Sequence, residues 1–258
     1  MKMTWLMYRK EMLEMVRSYK LLWIPVVFLL LGVMQPIVYF YLPNILAASG
    51  DLSAELVQNL PVPLPSEVMV NTLSQFSTIG LLVLVIAGMN IVSGERYSGT
   101  AALVLVRSVP SQYFIISKWL GQLTLLVISF TLGYSGAWYY TVQLMGPVHW
   151  QDGLAAGALY LLWFAFAQSL ILLFSTLLRG SAAAVISLLI MAALSLSNSL
   201  VPSWFSWSPA RLLSDAAAIF AGIDFSAVAA LIVTTLGCLL CLAASTVLLR
   251  GQGIPDQP

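Results

Sequence analysis

The sequence predicts an all-α polytopic membrane protein of six transmembrane helices with both termini in the cytoplasm. Three observations predict it. The 258 residues are 60% hydrophobic and 8% charged, whereas soluble domains carry about 25% charge and about 45–50% apolar residues. Six apolar runs reach the roughly 20 helical residues that a bilayer core of about 30 Å requires. The basic residues then fall almost entirely on one side of those runs. The mean hydropathy of +0.94 agrees. A soluble enzyme, a nucleic-acid binder and a secreted disulfide scaffold are excluded on composition.

The predicted spans are 21–42, 69–92, 113–141, 154–178, 181–201 and 226–249. They are read as helices because lipid cannot satisfy an open backbone and no barrel-like alternation is present. The preceding segment, 1–20, mixes polar and apolar residues and lacks the pattern of a signal peptide, so the first span is expected to be retained. At 100° per residue, Trp5, Tyr8, Met12, Met15, Val16 and Tyr19 share one face, with Lys10, Glu14 and Arg17 opposite. That pattern predicts an amphipathic elbow helix in the cytoplasmic interface, against membrane lipid. Residues 21–258 form one six-helix domain.

Lys2, Arg9, Lys10, Arg17 and Lys20 precede the first span. Arg96, Arg107 and Lys118 lie between or beside spans two and three, Arg179 between four and five, and Arg250 after six; only Arg211 falls on the other side. The positive-inside rule therefore gives N-in, C-in. The outer connection before span six contains Pro202, Trp204, Phe205, Trp207 and Pro209, then LLSDAAAIFAGID. It is too apolar for a solvated loop and too short to span, which fits a re-entrant or interfacial segment. Between spans four and five, Gly180 can take the left-handed, helix-ending conformation. Gly80, Gly88 and Ala182 to Ala184 read as close packing surfaces.

What is missing narrows the function. No Asp, Glu, Lys, Arg or His falls in the middle of a predicted span, which argues against a proton-coupled carrier. One histidine, His149 in an outer loop, cannot supply a metalloprotease site. Cys238 and Cys241 spell CxxC inside an apolar helix without further ligands, and packing accounts for them. No catalytic, cofactor or metal residues are assigned. There is no GxxxxGK[ST] phosphate loop, so active transport would need another chain to hydrolyse nucleotide.

The segment from Ser93 to Gly121, SGERYSGTAALVLVRSVPSQYFIISKWLG, is the most informative. Glu95 and Arg96 end span two, Thr100 can cap a short helix and Ser111 the next long one. Ala101 to Val106 make a short apolar helix that wants a groove on a partner. This loop resembles that of permease subunits of ABC-2-type (ATP-binding cassette) transporters, at Glu95, Arg96, Gly99, Thr100, Pro110 and Lys118, with Ser117-Lys118 where that pattern has Gly-Lys. The resemblance extends to the elbow helix, the six spans and the outer segment.

It implies a non-catalytic membrane subunit in the cytoplasmic membrane of a bacterial cell. Residues 97–106 would be a coupling helix, with Leu103 and Leu105 in its apolar stretch, docking on a P-loop ATPase present in two copies. ATP and magnesium would be held by that partner. A second permease chain, identical or homologous, would complete the pathway, and export of an apolar or amphiphilic substrate is expected. Asn71, Gln75, Asn90, Gln168 and Asn198 are the candidate pathway residues, as are Gln122 and the serines at 195, 197 and 199. The alternatives are a non-transporting immunity or assembly protein using the same loop, and a channel that needs no ATPase.

Overall fold

The computed structural model describes residues 2–49, 63–99, 110–223 and 228–251, which are helical without strands. In chain order the helices are α1 (Lys2–Arg17), α2 (Lys20–Ser49), α3 (Pro65–Gln75), α4 (Leu81–Gly88), α5 (Ser93–Tyr97), α6 (Ser111–Met145), α7 (Trp150–Leu177), α8 (Gly180–Leu200), α9 (Arg211–Phe220) and α10 (Val228–Gly251). Six helical stretches are long and apolar enough to cross a membrane: Lys20–Ile45, Pro65–Tyr97, Ser111–Met145, Trp150–Leu177, Gly180–Leu200 and Val228–Arg250. Each overlaps one of the apolar runs.

The fourth span, α7, is the hub. It contacts α4, α6, α8, α9 and α10, and 72% of its most apolar window is buried, against 28% for the first, fifth and sixth spans. An aromatic column of Phe28, Phe76, Phe130 and Phe164 crosses the bundle from α2 to α7, with successive ring centroids 5.4, 5.6 and 5.7 Å apart. The tightest seam joins α2 to α6. A Cβ on Gly32 would overlap the backbone of Gly133, and one on Gly133 would overlap that of Phe28. Only hydrogen at both positions permits this approach, the small-residue packing expected between helices in lipid.

The second span is not one helix. A π-turn, Phe76–Gly80, follows α3 and brings the Phe28 ring against Gly80, where an added Cβ would lie 3.1 Å from it. The span breaks again between Gly88 and Ser93. Gly88 is also a close-packing point, with Ile171 Cγ2 3.1 Å from the Cβ it lacks. Of the expected packing surface Ala182 to Ala184, Ala183 and Ala184 are buried and Ala182 is exposed, because it lies on the outer face of α8.

Two local expectations are corrected. Gly180 does not have a positive φ; it opens α8, and it is glycine because Asn90 occupies the space of its missing side chain. Ser111 is the first residue of α6 rather than its cap, which is Pro110, and its hydroxyl accepts a hydrogen bond from Arg250 Nε at 2.9 Å. The helix 1–20 ends at Arg17, and the chain turns through Tyr19 at φ 57. Met15 turns inward while Trp5, Val16 and Tyr19 remain exposed. The segment before the sixth span contains the amphipathic α9, whose Leu212, Asp215, Ala216 and Ile219 are buried, and which packs on α7.

Candidate functional site

Lys20, Arg96, Lys118, Arg179 and Arg250 gather at one end of the bundle through contacts from one span to another. At this basic end α5 carries Glu95 and Arg96 just before the loop. Glu95 Oε1 accepts from Lys10 Nζ at 2.6 Å and from Lys118 Nζ at 2.8 Å. Lys118 Nζ also donates to both oxygens of Glu11 at 3.1 Å, and Lys10 lies 3.4 Å from Glu11. Four alternating charges thus tie α1, α5 and α6 together. The inner pair is deeply buried, with the side chain of Lys118 1% exposed and that of Glu11 5%.

This burial follows from the sequence around it. Gly121, one turn after Lys118, leaves room for α1: an added Cβ would lie 3.1 Å from Met15 Cε and 3.3 Å from Glu11 Cβ. Tyr8 Oη and Thr124 Oγ1 share a hydrogen bond of 3.0 Å further along the same seam. Lys118 Nζ also lies 5.0 Å from the centre of the Phe114 ring. Burial opposes the charge on Lys10, but its hydrogen bond to Glu95 and the neighbouring carboxylates outweigh that and raise its pKa above 10.5. Three carboxylates, Glu11, Glu14 and Glu95, bring oxygens within 4.8 Å of one another. Lys10 and Lys118 already supply the cations there, which makes the cluster an ion network rather than a metal centre.

Arg96 points the other way. Its Nη1 donates to the carbonyl of Thr176 at the end of α7, and Arg96 and Arg179 place their guanidinium carbons 5.8 and 5.3 Å from the centre of the Tyr97 ring. Gly99 has φ +73, which favours glycine, with nothing within 4 Å of its missing Cβ. Pro110 is exposed where α6 begins. Thr100, Leu103 and Leu105, with most of the segment 97–106, lie outside the described residues.

The candidate pathway residues are dispersed. Asn71 donates to Tyr39 Oη at 3.1 Å and lines a cavity with Glu67 and Phe220 at the opposite end of the bundle. Asn90 is exposed at the basic end. Asn198 donates to Ser214 Oγ at 3.4 Å beside α9. Gln75 Oε1, Gln122 Oε1 and Gln168 Nε2 are buried with no partner among the described residues. Of these, Gln122 and Gln168 meet at Gly88, with their Oε1 atoms 3.8 and 3.4 Å from the Cβ it lacks.

Sequence reasoning missed Glu11 and Ser175. Glu11 carried no local signal beyond standing one turn before Met15, since its partner is 107 residues away. Ser175 reads as one more small polar residue in an apolar helix. Its hydroxyl in fact bridges the break in the second span, accepting from the Val92 and Ser93 amides, both at 3.1 Å, and donating to the Met89 carbonyl at 2.9 Å.

The six-span helical bundle is that of a polytopic membrane protein, and the chain belongs to the ABC-2 transporter family: the model of the ABC-2 family transporter protein matches residues 5–248. It is also 36% identical over 217 residues, 84% of either chain, to the uncharacterized transmembrane protein YxlG of Bacillus subtilis (strain 168). Subunits of this family are typically non-catalytic and normally work with an ATP-binding partner.

Proposed function

We propose that this chain is the permease subunit of an ATP-driven exporter. In this reading the basic end faces the cytoplasm and α1 is the elbow helix. The segment 97–106 docks on a P-loop ATPase, two copies of which bind ATP and magnesium. A second permease chain, identical or homologous, completes the pathway. The observation that carries the reading is the position of Glu95. It stands two residues before the end of α5 and is ionically joined to α1 and α6, while Arg96 beside it is joined to α7. A push on the loop would reach three other elements within one helical turn. That is the load path a chain without its own energy source needs, and a shift between inward- and outward-open states would follow as a change of population. Spans without a central charge favour an apolar or amphiphilic cargo.

The test is a mild-detergent purification of the tagged chain, with ATP hydrolysis assayed on what co-purifies. The wild type should recover a P-loop ATPase. Changing Leu103 and Leu105 to Asp should abolish its recovery, and Glu95→Ala should retain the partner but uncouple hydrolysis from export. If no ATPase is recovered, the docking reading is wrong, and a channel or an immunity or assembly protein replaces it.

A further inference from the structure

The break in the second span poses a physical question. In lipid, each backbone group left without a partner is costly, yet here the helix is interrupted across Met89–Val92. The Gly88 carbonyl is taken early, by the Ile91 amide at 3.0 Å. The Val92 and Ser93 amides, which a continuous helix would aim at Gly88 and Met89, turn to Ser175 Oγ instead. The Met89 carbonyl accepts from that same hydroxyl and from Ser93 Oγ at 3.2 Å. One fully buried hydroxyl from the fourth span therefore substitutes for the ladder on both sides of the interruption.

Below the break lies the segment that carries Glu95. It has open space on two sides. A cavity of about 450 Å³ lies towards α1 and another of about 550 Å³ lies towards α8, and Asn90 and Gly94 line both. Close-packed interiors resist displacement, whereas Asn90 and Gly94 have a cavity on either side. Just above the break, Gln122 lines the first cavity, and its side chain meets that of Gln168 at Gly88.

We propose that Ser175 is the pin of a hinge in the second span: its hydroxyl holds the Met89–Val92 interruption so that the Glu95-bearing segment turns as a lever against the fixed part above Gly88. Ser175 is a positioning residue, acting through the backbone of another helix. The proposal rests on the coupling reading for its purpose, but not for its test.

Hydrogen exchange on the full chain in nanodiscs reads the joint directly and needs no ATPase. In the wild type, the Val92 and Ser93 amides should exchange faster than those of Leu84 to Gly88, because they open with the hinge. Ser175→Ala should speed exchange at Val92 and Ser93 by about tenfold, the loss of one hydrogen bond, with α4 and α6 unchanged. Ser93→Ala removes a hydroxyl from the same carbonyl but no acceptor from those amides, and should leave their exchange as in the wild type. If Ser175→Ala does not fold, Ser175→Cys, with its weaker acceptor, should give an intermediate rise. Exchange at Val92 and Ser93 that matches the wild type in a folded Ser175 variant overturns the proposal. So does an equal rise across all spans, which marks a packing defect. A local rise combined with no recovered ATPase keeps the hinge and removes the coupling reading, whereas recovery of the ATPase with no local rise does the reverse.

Discussion

Lys118 shows how much of the site depends on pairing. An ammonium 1% exposed is tolerated only because two carboxylates face it, and a buried ion pair contributes little net stability while the loss of one partner is severe. Lys118→Met should therefore lower stability by about 3–5 kcal/mol, measured by thermal unfolding in detergent, because the buried Glu11 loses its buried counter-charge and keeps only the half-exposed Lys10, 3.4 Å away. Adding Glu11→Gln should restore a large part of that loss. If the double variant is as unstable as Lys118→Met alone, the damage lies in packing and not in the stranded carboxylate. The sequence made Glu95 and Lys118 legible through their place around the loop, but Glu11 was not. A pairing over 107 residues leaves no periodic trace, and a glutamate on an amphipathic helix is read as solvated.

At the scale of elements, the legible part was length and hydrophobicity: six apolar runs became six spans, and the apolar stretch before the last became the amphipathic α9. The interruptions were not legible. The π-turn and the break at Met89–Val92 arise from contacts with Phe28 and Ser175 in other helices, so the apolar pattern of the second span runs through both unaltered. α9 itself carries a pH prediction. Asp215 is 1% exposed, and its Oδ1 accepts from Arg211 Nε at 2.9 Å while Oδ2 has no partner among the described residues. Burial raises its pKa, and Arg211 only partly offsets that. The folded state then takes up the proton before the unfolded chain does. Stability from this group should rise as pH falls from neutrality through the raised value and level off below 3.8, the ordinary value. Asp215→Asn should remove this dependence, so the difference in melting temperature between wild type and variant should change with pH in that window. A constant difference would mean that Asp215 is as well solvated as in the unfolded chain. The seam of α2 and α6 gives a plainer expectation. Gly133→Ala places a methyl group into the backbone of Phe28 and should destabilise by about 1–3 kcal/mol or more.

For the whole molecule, charge asymmetry and burial fit together. The first, fifth and sixth spans expose most of their apolar surface, which requires lipid or another membrane chain around them, and the ion network lies at one end of the bundle. ATP is on the cytoplasmic side, so the proposed function holds only if that end faces the cytoplasm, as the positive-inside rule requires. The orientation can be tested with single cysteines placed after Cys238 and Cys241, both buried, are changed to serine. Trp150→Cys, at the start of α7 and 63% exposed, should react with a membrane-impermeant maleimide on intact cells. Tyr97→Cys, 58% exposed at the opposite end, should react only after the cells are permeabilised. The converse pattern would put the loop after Glu95 on the side without ATP. The ion network would then be a structural clasp, and a channel or immunity protein would be the better account of the same bundle.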